Sequence, residues 1–100
     1  LMPNLLTKDD IQNRLGTLGS AWGLNDTGYL SANYRFTNFQ EAMNFANSVG
    51  DLAETANHHP DLLIGWGKCA IELWTHDAGG LTTADFDLAQ QISDCYDALP

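Results

Sequence analysis

The sequence predicts an α+β fold, with helices laid over a small, mostly antiparallel sheet in the order α-β-β-α-β-β-α. Three observations carry this. Three stretches repeat apolar residues at helical spacing, and each opens on a capping signal. Four shorter segments between them read as strands. These fall into two pairs whose members lie close enough in sequence for a hairpin, so neither pair needs a parallel crossover. Helices covering a sheet are the economical way to bury both kinds of apolar face.

The first helix is expected over Lys8 to Leu18. Thr7 caps it with Asp10 three residues on, and Leu6 and Ile11 stand at the two staple positions. Ile11, Leu15 and Leu18 form its stripe, and Gly19 ends it. Trp22 to Leu24 is a short strand. Asn25-Asp26-Thr27-Gly28 is a turn by composition, and Tyr29 to Phe36 is a second strand with Leu30, Ala32, Tyr34 and Phe36 on one face.

The second helix is expected over Phe39 to Ala56, with Asn38 and Glu41 as its capping box. Its core stripe is Phe39, Ala42, Met43, Ala46, Val49, Ala53 and Ala56. Gly50 inside it costs about 1 kcal/mol relative to alanine. Leu62 to Trp66 and Cys69 to Thr75 are strands joined through Gly67-Lys68. In the latter, Cys69, Ile71, Leu73 and Thr75 share one face, and Ala70, Glu72, Trp74 and His76 the other. The third helix runs from Thr83 to Ala98, capped by Thr82 with Asp85 in the reciprocal position and Leu81 stapled against Phe86. Leu88, Ala89, Ile92, Cys95, Tyr96 and Leu99 are its stripe.

One hundred residues, 44% of them hydrophobic, suit a single domain over residues 1–100 whose core is modest enough for self-association to help. No apolar run approaches the roughly 20 residues of a membrane span, and no leader pattern is visible, so a soluble chain is expected. The net charge of −9 comes with only four basic residues, Lys8, Arg14, Arg35 and Lys68, scattered along the chain. That distribution would repel a phosphate backbone and an anionic membrane surface, so neither nucleic acid nor membrane is an expected partner. Cys69 and Cys95 have no metal or redox spacing and fall on apolar faces. They are expected as buried free thiols, which places the chain in a reducing, cytoplasmic compartment.

The chemistry-bearing residues are the three histidines. His58 and His59 are adjacent and precede Pro60, which biases His59 away from helical geometry. The pair is therefore displayed where the second helix ends, near Asn57. His76 lies at the end of the last strand, before Gly79-Gly80. Two element ends bearing imidazole could meet at one rim of the sheet, and imidazole titrates near neutrality, as a proton donor and acceptor must. A histidine at a strand end is also an ordinary polar surface residue, so the histidines by themselves leave both readings open. Adjacent side chains on extended backbone point to opposite faces and seldom chelate one ion, so no metal is expected. No nucleophile elbow, P-loop or dinucleotide fingerprint is present, and Gly65-Trp66-Gly67-Lys68 reads as a hairpin.

At these residues the chain resembles the pterin-4a-carbinolamine dehydratases. Glu54-Thr55-Ala56-Asn57-His58-His59-Pro60-Asp61 is similar to that family's E-x-x-[DN]-H-H-P-[DE] segment, with Trp66 at an aromatic position. Thr75-His76-Asp77 is similar to its T-H-[DE] segment. Gly79-Gly80-Leu81-Thr82 followed by Asp85, Leu88 and Ala89 is similar to its G-L-[ST]-x-x-D-x-x-L-A stretch. Tyr34-Arg35-Phe36, Phe39, Ala42 and Phe45 resemble a further aromatic region. The blocks span nearly the whole chain, and their combination is specific where any one alone is weak.

The resemblance implies a two-layer α+β sandwich, a four-stranded antiparallel sheet with helices on one face, assembled as a homodimer or homotetramer. It implies dehydration of a 4a-hydroxytetrahydropterin to a quinonoid dihydropterin, which recycles the pterin of aromatic amino acid hydroxylases, with no metal or bound cofactor. It also implies that His58, His59 and His76 are the catalytic and pterin-contacting set. His58 and His76 are then the expected acid/base pair and His59 the residue that orients the ring. Glu54 would hydrogen-bond an imidazole or stand as a solvated helix carboxylate. Asp85 would act at the site or serve only as a cap. Asn57, Asp61 and Thr75 complete the expected substrate-binding set. The chain departs from the family pattern at Asn57, often Asp there; at Leu62, where an aromatic is common; and at Trp74, where a small residue is common. An indole at that point is expected to narrow the pocket or alter side-chain selectivity. The competing reading is a non-catalytic binding protein or transcriptional coactivator on the same fold. It would use an apolar strip left exposed on the third helix, with Phe86 and Tyr96 the residues to inspect.

Overall fold

Asp10, Glu41 and Asp85 each stand three residues after a short polar side chain, and each of those spacings starts a helix. In the computed structural model, which describes residues 4–100, the helices are α1 (Lys8–Leu18), α2 (Phe39–Ala56) and α3 (Thr83–Asp97). The strands are β1 (Trp22–Leu24), β2 (Leu30–Arg35), β3 (Asp61–Gly65) and β4 (Lys68–Leu73). The element order is the expected one, with strand ends moved by one or two residues. Thr7 Oγ1 accepts the Asp10 amide and the Asp10 carboxylate returns to the Thr7 amide, a complete box. Asn38 Oδ1 accepts the Glu41 amide at 2.8 Å, but Glu41 reaches past Asn38 to the amide and hydroxyl of Thr37. Those hydrogen bonds hold the Glu41 carboxyl below its ordinary range.

The four strands form one antiparallel sheet in the order β1-β2-β4-β3. Both expected hairpins form, and β2 joins β4 across the middle in the register Leu30↔Leu73, Ala32↔Ile71 and Tyr34↔Cys69. Alternation sends Leu30, Ala32, Tyr34, Cys69, Ile71 and Leu73 to one face, where all are buried under the helices. Ser31, Asn33, Ala70, Glu72 and Leu63 face outward and are half-buried or exposed. The β3–β4 hairpin turns at Gly67, whose φ is 69°; a Cβ there would sit 2.8 Å from the Phe36 carbonyl oxygen.

From α2 the core takes Ala42, Phe45, Ala46, Val49 and Ala53. This corrects the expected stripe at its ends. Phe39 lies in the first turn, off the centre of the buried arc, and is 48% exposed; Ala56 is exposed at the helix exit. Phe45 supplies the aromatic bulk instead, packed against Tyr34, Phe36 and Tyr96. Each such fully buried side chain contributes about 1.5–3 kcal/mol. From α3 come Phe86, Leu88, Ala89 and Ile92, with Cys95 and Tyr96 half-buried at its far end and Leu99 exposed beyond it. Both cysteines are free, Cys69 fully buried and Cys95 partly so. No described helix is long and apolar enough to cross a membrane.

Candidate functional site

Helix α2 stops at Asn57, which takes the left-handed conformation (φ 50°, ψ 43°) that asparagine tolerates better than most residues. The Asn57 amide donates to the Glu54 carbonyl and the His58 amide to the Ala53 carbonyl. This is the two-bond closure of a Schellman motif, and it ties the backbone of His58 to the last turn of α2.

On the other side of the site, the chain leaving β4 alternates for three more residues. Thr75 turns inward and is buried, while Trp74 and His76 turn outward. A tight turn follows, closed by Ala78 and Gly79 amides on the Thr75 carbonyl and a bridge from Thr75 to Gly80. The two chain segments meet at the end of the sheet. A cleft of about 260 Å3 lies between them, lined by Asn57, His58, His59, Thr75, His76 and Asp77. The three histidines, from two element ends, share it.

Behind the cleft lies Asp85, fully buried. Its Oδ1 is 2.6 Å from His58 Nε2. Its Oδ2 accepts from the Thr75 hydroxyl at 2.7 Å and from the Thr82 amide at 2.9 Å. Since the Thr75 proton goes to Asp85, the Thr82 hydroxyl, 2.8 Å away, donates to Thr75 Oγ1. An ionised carboxylate can only accept. His58 therefore presents Nε2–H to Asp85, and Nδ1 is the nitrogen the carboxylate leaves free. Asp85 is both half of the α3 capping arrangement and the anchor of an imidazole, so the two roles left open for it in the sequence coexist. No buried side-chain polar atom among the described residues lacks a hydrogen-bond partner.

His59 pairs with Glu54 at the surface, the side chains 58% and 78% exposed. His76 is exposed, and no hydrogen bond holds its ring among the described residues. Asp61 stands apart from the cleft, exposed at the start of β3 and opposite Glu72 in the β3–β4 register. Trp74 does not line the cleft. Its ring stacks on His76 at 3.9 Å and on Tyr29 at 4.5 Å, beside the cleft rather than in its wall. Leu62 faces the core beside Ile71. Asp77, which lines the cleft beside His76, and Thr82, whose hydroxyl extends the Asp85 network, stood within the matching motifs but outside the expected site set. Among the described residues no three His, Cys, Asp or Glu side chains gather closely enough to hold a metal ion.

A sequence profile of the family described as pterin 4 alpha carbinolamine dehydratase matches residues 4–95. A protein of Rickettsia bellii is 45% identical over 87 residues, covering 87% of this chain and 77% of its own. One of Nostoc punctiforme is 47% identical over 92 residues, covering 92% and 97%. Both carry the name "Putative pterin-4-alpha-carbinolamine dehydratase". The crystal structure of a transcriptional coactivator/pterin dehydratase from Brucella melitensis superimposes with a TM-score of 0.86 at 25% identity, over 92% of this chain and 98% of the other. A pterin dehydratase-like protein identified as a RuBisCO assembly factor in the alpha-carboxysome shares the fold, with a TM-score of 0.64 at 20% identity over 78% and 92%.

Proposed function

The chain belongs to the pterin 4 alpha carbinolamine dehydratase family, and from that membership we propose that it dehydrates a 4a-hydroxytetrahydropterin to the quinonoid dihydropterin, recycling the cofactor of aromatic amino acid hydroxylases. The observation that carries the proposal is the shared cleft of His58, His59 and His76, with His58 held from behind by a buried carboxylate.

Loss of water breaks the C–O bond at the 4a carbon. The leaving hydroxyl takes up one proton. The neighbouring ring N–H gives one up, and its electron pair becomes the C=N bond. Net proton consumption is zero, so two imidazoles in opposite protonation states suffice. His58, locked as the Nε2–H tautomer, offers Nδ1 for one transfer, and His76 across the cleft serves the other. His59, with Glu54, orients the bicyclic ring. Thr75 and Asn57 contribute the wall, and Asp85 acts through His58. The chain works without a bound cofactor, its substrate being itself a spent one, in the cytoplasm and as a homodimer or homotetramer.

The coactivator reading draws support from the name of the Brucella structure. Against it, Phe86 is 3% exposed and Tyr96 packs on Tyr34, Phe36 and Phe45, so these two residues offer no free apolar strip on α3. The test is stopped-flow dehydration of a 4a-hydroxytetrahydropterin at a pH where the spontaneous reaction is slow, wild type beside His58→Ala and His76→Ala. Acceleration lost in both folded variants is expected. A folded wild type that accelerates nothing would sink the enzyme reading.

A further inference from the structure

His76 is asked to move a proton from an exposed position, yet among the described residues nothing hydrogen-bonds its ring. A free imidazole there would move among several rotamers. What meets it is Trp74, two residues back on the same outward face of the chain. The two rings are 3.9 Å apart and inclined by 17°. The indole is in turn seated on Tyr29, with centroids 4.5 Å apart and planes within 1°. The pairing Leu30↔Leu73, carried one step further, sets Tyr29 directly across from Trp74. The stack is therefore a cross-strand pair built on the two central strands of the sheet, the geometry in which aromatic partners reinforce one another.

We propose that Trp74 is the positioning residue of His76: seated on Tyr29, it holds the imidazole plane in the orientation that faces the cleft. This rests on the dehydratase reading above and adds to it the element that orders the second proton-transfer group. His58 is oriented by a carboxylate from inside the fold, and His76 by an aromatic face from outside it. Thr75, between Trp74 and His76, turns the other way into the Asp85 network. Two consecutive residues, Trp74 and Thr75, thus serve the two histidines from opposite faces of the chain.

The experiment uses the full chain with Trp74→Leu, which keeps apolar bulk but removes the π-face, Trp74→Phe, which restores a smaller one, and Tyr29→Leu, which removes only the underlying ring. Two readouts are taken on each folded protein: dehydration kinetics, and the NMR shifts of the His76 ring protons, which an indole face displaces upfield. A stacked aromatic pair is worth about a two- to tenfold change in an equilibrium constant. Trp74→Leu is therefore expected to lower kcat about two- to tenfold with little change in KM, and to return the His76 shifts to ordinary values. Trp74→Phe should recover most of both, and Tyr29→Leu should lose less than Trp74→Leu. Unchanged kcat in folded Trp74→Leu overturns the proposal. So does a fall in kcat with the His76 shifts unmoved, since Trp74 would then act through something else. If the wild type accelerates nothing, the dehydratase reading fails, and the NMR arm still judges the stack: ordinary His76 shifts in the wild type overturn it.

Discussion

Replacing Asp85 by asparagine keeps the shape of the buried group and changes what it can do. The carboxylate now accepts from three donors: His58 Nε2–H, the Thr75 hydroxyl and the Thr82 amide. An amide has one accepting oxygen and one donating NH2. Placed with its NH2 toward Thr82, it would oppose donor to donor, so its oxygen must keep Thr75 and Thr82, and its NH2 must face His58. His58 Nε2 then has to accept, which drives the ring proton to Nδ1 and reverses the tautomer. Hydrogen bonds to a charged acceptor contribute about 1.5–3 kcal/mol each against about 1 for neutral ones. Weakening the two that remain should therefore cost about 1–4 kcal/mol of stability. In a chain of this length that is roughly 4–8 °C in Tm per kcal/mol. The chemical step should lose about 10²–10⁴-fold, the range of a general acid–base contribution, because His58 offers the wrong nitrogen state. Stopped-flow dehydration gives the rate and 15N NMR of His58 reads the tautomer. Wild-type rates, or an Nε2–H tautomer persisting in folded Asp85→Asn, would refute the reasoning.

Three further outcomes follow from the fold. Gly67→Ala puts a methyl 2.8 Å from the Phe36 carbonyl oxygen at φ 69° and disturbs the Phe36 amide bond to Gly67; urea unfolding should show a loss of about 1–3 kcal/mol. Asn57→Ala should cost about 1 kcal/mol and Asn57→Gly none, since the position demands left-handed backbone; equal stabilities in chemical unfolding would contradict this. Burial pushes the Cys69 thiol and the Tyr34 phenol above their ordinary values. A neutral acid whose folded pKa is raised contributes stability that is complete below the unfolded pKa, near 9.0 and 10.0 here, and is lost as pH rises through the folded value. Urea midpoints should therefore fall from about pH 9 upward, Tyr34→Phe should flatten the upper part of that fall, and thiol reagents at pH 8 should label Cys95 well before Cys69.

How much of this could be read along the chain depends on how local the cause is. Thr7, Asn38 and Thr82 set helix starts through bonds spanning three residues, so those boundaries were legible. The alternation of Leu30, Ala32 and Tyr34 against Ser31 and Asn33 likewise disclosed the buried face of β2. The α2 stripe had a legible period but not a legible phase at its ends, because which turn of a helix overhangs the sheet is decided by packing. Asp85 was legible as a cap. Its contact with a histidine 27 residues earlier depends on how α2 and α3 lie beside each other. Trp74 was legible as a neighbour of His76 on the outward face, but its stacking on Tyr29 depends on how β2 and β4 pair across the sheet.

The double duty of Asp85 bears on what descent would preserve. A carboxylate that starts α3 and accepts from His58, Thr75 and Thr82 serves the fold whether or not the chemistry is used. His59 and His76, at the surface, answer to no such requirement and are free to drift once unused. If the dehydratase reading holds, chains of this shape that have lost the activity should lose the surface histidines before the buried aspartate.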